Sequence, residues 1–246
     1  DSEKIAKLIQ SGMFPQGYVY PRKKRSIRDL LRRRLYFARE RADLFAHIQL
    51  LNNQANNLAL GRLSKSNYKR KGLECLLSDR HNQKSLDTNL GLLKNYDQVI
   101  RELEAYILEH TRRQYRQELT IIQSIHGIGE IIALTILYEI DTIDRFSKVG
   151  DFISYSRLIK CSHESAGKKY AGSNSKIGNP HLKRAFSSAA TYVIKFNPEI
   201  QKRFDRLSSK KGKKLAYGII ARELAHTVYH LLKKKKVFDM KKFLQG

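Results

Sequence analysis

The run Ser26 to Leu60, SIRDLLRRRLYFARERADLFAHIQLLNNQANNLAL, sets apolar residues three or four positions apart at Ile27, Leu31, Leu35, Ala38, Ala42, Phe45, Ile48, Leu51, Ala55 and Leu58. That step predicts a single long amphipathic helix with an arginine-rich back, because residues so spaced share one side of a 3.6-residue turn. The same step returns at Leu86, Leu90, Leu93, Tyr96, Ile100, Leu103 and Ile107, after a polar stretch from Gly61 to about Gln83 that has no period. A second long helix is therefore expected. Each helix has a narrow apolar seam that must be covered, and two arrangements do so: a helical hairpin within one chain, or a coiled coil between subunits of a homo-oligomer.

On the N-terminal side, DSEKIAKLIQSG at residues 1 to 12 reads as a short helix. Ile5, Leu8 and Ile9 share a face, Gly12 suits a left-handed exit, and Pro15 and Pro21 mark an extended connection. On the C-terminal side the texture changes near residue 116 to short apolar runs punctuated by glycine. Asn179-Pro180 is a strong helix start, since asparagine caps free N-H groups and proline fits the first turn. The helix it opens carries Leu182, Ala185, Phe186, Ala189 and Val193 on one side. A last helix is expected from about Lys213 to Lys235, burying Ile219, Leu224, Val228 and Leu231 and ending in four lysines that suit the negative end of the helix dipole. The best strand signal lies between Phe152 and Cys161. The fold class is mainly α: a long helical hairpin or coiled coil followed by a compact helical domain.

The chain has 246 residues and 41% hydrophobic content, enough for a core of ordinary size. Lys and Arg number 48 against 23 Asp and Glu, a formal charge of +25 spread along the length, which points to a polyanionic partner. No apolar stretch approaches the roughly 20 residues of a membrane span, and the N-terminus carries no signal-peptide core. A soluble, cytoplasmic protein is expected. Cys75 and Cys161 lie far apart, with no second Cys or paired His nearby, so a disulfide framework and a zinc knuckle are excluded and any metal would need oxygen ligands.

Two constellations carry chemistry. In IIQSIHGIGEIIALTI, residues 121 to 136, two apolar helical patterns flank His126-Gly127-Ile128-Gly129. Glycines allow close backbone approach, and the next helix begins with free N-H groups, so Gly127 and Gly129 fit a helix-hairpin-helix grip on nucleic-acid phosphate. The same pattern also fits a tight packed turn, and His126 reads as a turn or packing residue. The second stretch, KCSHESAGKKYAGSNSKIGNPHLKR at residues 160 to 184, is dense in Ser, Gly, Lys and Arg with one acid, Glu164. Lys168, Lys169, Lys176, Lys183 and Arg184 fit phosphate contacts. Ser165, beside Ala166-Gly167 and two lysines, has the surroundings a serine nucleophile needs, but it is one of several serines in a polar segment.

These residues resemble a family: the IS-one-ten class of insertion-sequence transposases, which includes pilin-gene invertases and RNA-guided bridge recombinases. The resemblance rests on SIHGIGEIIA (124 to 133), DFISYSRL (151 to 158), ESAGKKYAG (164 to 172), SKIGNPHLKRAF (175 to 186) and KKGKKLAYGIIARELAHTVYHLL (210 to 232). It implies the tail of a RuvC-like domain at residues 1 to 25, a coiled-coil region at 26 to 115 and a C-terminal transposase domain at 116 to 246. It further implies that Ser165 is the nucleophile, in a block where Ala166 replaces the family's usual glycine. DSEKIAKLI matches the end of the family's metal-binding block, making Asp1 the equivalent of the fourth carboxylate ligand to a divalent metal such as Mg. The other three acids are absent, so the chain reads as the back portion of a longer protein and is expected to be inactive by itself.

Three functions follow as expectations. The first is a transposase or site-specific recombinase that cuts and rejoins DNA through a covalent serine-DNA intermediate. By resemblance it acts in a prokaryotic cell, near the nucleoid, with a structured guide RNA from the same element choosing the sites. The second is a non-enzymatic helical nucleic-acid-binding protein in which Ser165 does nothing. The third, a metal-dependent nuclease in this chain alone, is opposed by the missing acids.

Overall fold

The computed structural model describes residues 2–14, 17–54, 79–111, 114–159, 162–165, 168–171 and 178–245, the side chains of 162–165, 168–171 and 245 excepted. Helix α1 (Ser2–Gln10) ends where Gly12 turns left-handed at φ 69°. Its face of Ile5, Leu8 and Ile9 is exposed. Helices α2 (Arg22–Gln54) and α3 (Arg80–Thr111) then pack on each other along most of their length. Leu31, Phe45, Ile48 and Leu51 are buried on α2, and Leu86, Leu90, Leu93, Ile100 and Ile107 on α3. The two seams thus cover each other within one chain. Ion pairs between the helices flank the seam: Arg34 donates to Glu104 at 2.7 Å, and Arg41 pairs with Asp97. Ala42 lies exposed beside the seam, and Ala55 and Leu58 fall outside the described residues.

The hairpin's outer part holds its own small apolar cluster of Phe45, Ile48, Leu86, Leu90 and Leu93. Its root, with Leu31 and Ile107, is built into the main core. That core surrounds α5 (Glu130–Ile140), which is apolar on nearly every side, with Ala133 to Ile140 all buried and only Thr135 and Glu139 polar among them, as expected of a helix enclosed by others. Around it lie α4 (Arg116–Gln123), α7 (Pro180–Phe196) and the lower ends of α2 and α3, while α9 (Lys213–Lys234) closes the far side of α7 and packs on α6 (Val149–Tyr155) and α8 (Pro198–Lys211). Helix α7 starts as the sequence predicts: Asn179 Oδ1 accepts from the backbone N-H groups of His181 and Leu182 at 2.9 and 3.1 Å, and Pro180 takes the first position.

Two expectations need correction. Residues 149–155, where the strand was expected to begin, form α6, whose first turn is closed by the Asp151 carboxylate accepting from the Lys148 backbone N-H at 3.3 Å. The strands come later, as an antiparallel pair of β1 (Ser162–Ser165) and β2 (Lys168–Ala171). Helix α9 is also not the last. Lys235 adopts a left-handed cap at φ 49° and ψ 44°, and α10 (Met240–Gln245) folds back so that Phe243 joins the core. On α9 the large apolar side chains of Ile220, Leu224, Val228, Tyr229 and Leu232 are buried, and Ile219 and Leu231 flank them, half-buried.

Candidate active site and nucleic-acid interface

The turn between α4 and α5 gives its two glycines different surroundings. Gly127 has φ 108°, and a Cβ placed on it would lie 2.9 Å from the Val193 backbone, so this residue is small in order to pack against α7. Gly129 has nothing within 4 Å of its Cβ position and caps α5 with extended backbone and no side-chain hydrogen bond. The positive end of α5 is therefore open to solvent, with Glu130 as the first residue of the helix. Beside it the turn, Ile132, Tyr192 and Phe196 enclose a shallow cavity of about 370 Å³. Tyr192 and Phe196 stack with their planes 9° apart, and the exposed His126 ring meets Phe196 edge-on at 5.9 Å. Asn197 ties this corner together by donating to the carbonyls of His126 and Val193, both at 2.7 Å.

The solvent face of α7 runs from that aromatic corner back to the Asn179 cap. Lys183 and Arg184 are exposed on its first turns, Lys195 on its last. Ser187 and Thr191 lie between them, giving one helix side three cations and two hydroxyls over about 18 Å.

Within the hairpin, backbone register sets Ser165 opposite Lys168 and Glu164 opposite Lys169. Ser165 thus ends β1, two residues of connection away from its partner. Lys176 and Asp1 lie outside the described residues. The structure therefore brings Ser165 and Lys168 together along the backbone, and carries Lys183 and Arg184 on the helix that follows. Gly127 and Gly129 belong to a separate corner at the opposite end of α7.

A buried polar group that sequence reading missed stands where the hairpin joins the core. Glu139, on the otherwise apolar α5, is 2% exposed and receives a two-pronged bond from Arg32 of α2, Nε to Oε1 at 2.6 Å and the second guanidinium nitrogen to Oε2 at 2.7 Å. Asn179 Nδ2 donates to Oε2 as well, at 2.7 Å. Burial alone would raise the Glu139 pKa, but the bonds from Arg32 and Asn179 outweigh it and hold the carboxyl below its ordinary range. His181, next along α7, is pushed below the usual histidine value by burial and by Arg32, Arg184 and Arg28, against the pull of Glu139. The available signal was a single acid near the end of the apolar run that follows Glu130 in EIIALTILYEI, and its partner stood 107 positions away.

A second polar cluster fixes the end of α5. Asp141 has φ 64° and ψ −67°, with Thr142 N-H bonded back to the Ile140 carbonyl at 3.0 Å, a strained three-residue turn. Its carboxylate accepts from Lys24 Nζ at 2.6 Å and from the Tyr18 hydroxyl. The Arg145 guanidinium lies over the rings of Tyr18, Phe146 and Tyr155 at 4.3 to 4.6 Å. Among the described residues no three His, Cys, Asp or Glu side chains converge as a metal site requires, and no helix is long and apolar enough to cross a membrane.

No curated protein gives a significant match to the chain. Residues 119–205, running from α4 through the glycine turn, the strand pair and α7 into α8, match the model of the IS116/IS110/IS902 transposase family, so this part of the chain is similar to the transposases of that family.

Proposed function

We propose that this chain engages DNA through its C-terminal domain, residues 116 to 246, and that Ser165 attacks a phosphodiester during transposition. The single observation that supports this most is that the family match spans the strand pair in which Ser165 faces Lys168 in register. In the step, Ser165 Oγ gives up its proton and bonds to phosphorus, and a deoxyribose oxygen leaves with the electron pair and takes up a proton. The result is a serine-DNA diester that reversal onto another strand resolves. Charge builds on the phosphoryl oxygens as the bond forms, so cations are worth most at that moment. Lys168, Lys169 and Lys176 are near in sequence to supply them. Lys183 and Arg184 continue the basic surface onto α7, and the open start of α5 at Gly129 adds N-H donors for backbone phosphate.

On the family resemblance, a structured RNA chooses the sites, the hairpin of α2 and α3 makes further contacts in a homo-oligomer, and Asp1 helps hold a divalent metal. No step above passes through that metal. A nicked duplex carrying the native transposon end, incubated with the protein as expressed from its gene and RNA from the same element, should give a denaturation-resistant protein-DNA adduct. Ser165→Ala should abolish the adduct and keep DNA binding, whereas Ser162→Ala and Ser175→Ala should keep both. Binding with no adduct in any variant would favour the non-enzymatic reading, which the +25 charge also supports.

A further inference from the structure

We propose that Tyr192 and Phe196 form a stacking site for an unpaired base of a DNA strand; this rests on the reading that the C-terminal domain engages DNA. The two residues stand one turn apart near the end of α7 and are 46% and 49% exposed, so both rings leave much of their apolar surface in water. Their planes lie within 9° of parallel with centroids 6.5 Å apart, and a flat ligand aligned with one ring is therefore aligned with the other. The His126 ring stands at 73° to Phe196, and Ile132 adds an apolar wall to the cavity beside them. Rings so arranged engage the face of a flat ligand, a contact that every nucleobase can make.

Gly129 borders the same cavity. Its φ of −74° and ψ of 164° suit any residue, and a Cβ on it would meet nothing within 4 Å, so neither backbone strain nor packing requires glycine there. Ser, Thr, Asn or Asp at this position would cap α5. What a side chain would take away is room at the cavity, in contrast to Gly127, whose missing side chain is explained by contact with Val193.

Charge identifies the occupant. Lys195 Nζ lies 5.5 Å from the Phe196 centroid, which sets a cation within reach of the phosphate attached to a base stacked there. Lys183 and Arg184 extend the positive charge along the exposed side of α7, in a chain of net charge +25. Paired bases are stacked on one another and present only their edges in the grooves, so an exposed ring face serves a base that has left the helix. Joining a cut strand to another, as the proposed Ser165 chemistry requires, takes bases out of pairing near the cut. An aromatic platform offsets part of the stacking they lose.

The test uses the protein as expressed from its gene, a short labelled oligothymidylate, the same strand carrying one 2-aminopurine, whose fluorescence falls on stacking, and a blunt duplex. Tyr192→Leu and Phe196→Leu remove a ring and keep apolar bulk, Tyr192→Phe and Phe196→Tyr keep the ring, and Gly129→Val fills the cavity. Each leucine variant should weaken single-strand binding on the order of 5- to 100-fold and lose the quenching, with thermal midpoint and duplex affinity near wild type. The ring-keeping variants should bind and quench as wild type does, and Gly129→Val should behave like the leucine variants toward the single strand. Wild-type affinity and quenching in folded leucine variants would overturn the inference. So would equal losses in the ring-keeping variants, tighter ring-dependent binding of an RNA of the same sequence, or a dimer that the leucine changes dissociate while strand affinity is kept. If wild type binds the duplex and no single strand, the stacking site fails and the proposed function stands; if it binds neither, DNA engagement by this domain fails with it.

Discussion

Gly127 and Val193 approach so closely that no side chain fits between them: a Cβ on Gly127 would lie 2.9 Å from both the Cα and the amide nitrogen of Val193. Helices α4 and α5 are therefore docked on α7 by backbone contact. Gly127→Ala should lower stability by about 2–4 kcal/mol, combining strain at positive φ with displacement of α7. Gly129→Ala, at φ −74° in open space, should stay within about 1 kcal/mol of wild type. Urea titration of both variants checks this, and equal effects would show that the turn does not pack as described.

The division of apolar contacts into two clusters predicts uneven stability. Ile48 and Leu93 are fully buried, yet they belong to the small cluster in the outer hairpin and not to the main core. Ile48→Ala or Leu93→Ala should cost about 2–5 kcal/mol locally and open the outer hairpin first. Hydrogen exchange should show faster exchange near residues 44–52 and 84–96 while α5, α7 and α9 remain protected. A uniform rise across the chain would mean that the hairpin and the domain unfold as one unit.

Much of this architecture was legible because it follows from repeating local patterns. The seams of α2 and α3 and the Asn179-Pro180 start of α7 can be read from single segments, and the cap geometry matches the reading. Periodicity did not say which partner covers the seams, since an apolar stripe looks the same to its own chain and to another copy. It also misplaced the strand, because FISY has β-forming side chains while the Asp151 carboxylate, accepting from the Lys148 backbone N-H, caps that segment as a helix. The node of Arg32, Glu139 and Asn179 was out of reach for another reason: long-range pairs of charges leave no mark in local spacing. The pattern GIG likewise suits phosphate contact and packing equally, and only the position of α7 shows that Gly127 packs.

Stability should fall in two stages on acidification. His181 sits below its ordinary value of 6.5, chiefly through burial, so the fold disfavours its protonated form. Its contribution is complete above pH 6.5 and is lost as pH falls from there through the lowered folded value. Glu139 and Asp141 also sit below their ordinary values. Burial opposes this, but the bonds from Arg32 and Asn179 to Glu139, and from Lys24, Tyr18 and Tyr115 to Asp141, prevail. Their stabilisation is present above their unfolded values, about 4.3 and 3.9, and is lost as pH drops through the lower folded ones. The thermal midpoint should therefore be level above neutral pH, decline gently below 6.5 and collapse below about 4. His181→Gln should remove only the upper decline, and an unchanged profile in that variant would exclude His181 as its source.

The exposed face of α7 predicts how nucleic-acid affinity responds to salt. Each phosphate neutralised on duplex DNA releases condensed counterions, and log K falls with log salt by roughly 0.9 for every such contact. Lys183, Arg184 and Lys195 are all exposed on one side of α7. Changing each to Ala should weaken duplex binding by similar factors whatever the DNA sequence, and should reduce the salt slope by about 0.9 apiece. Lys7→Ala makes the control, because Lys7 lies on α1 and pairs with Glu3 at 2.7 Å. Anisotropy titrations of a labelled duplex at several salt concentrations measure the slopes. If the three α7 variants keep the wild-type slope, the basic face of α7 does not touch DNA, and the +25 charge must act through another surface of the chain.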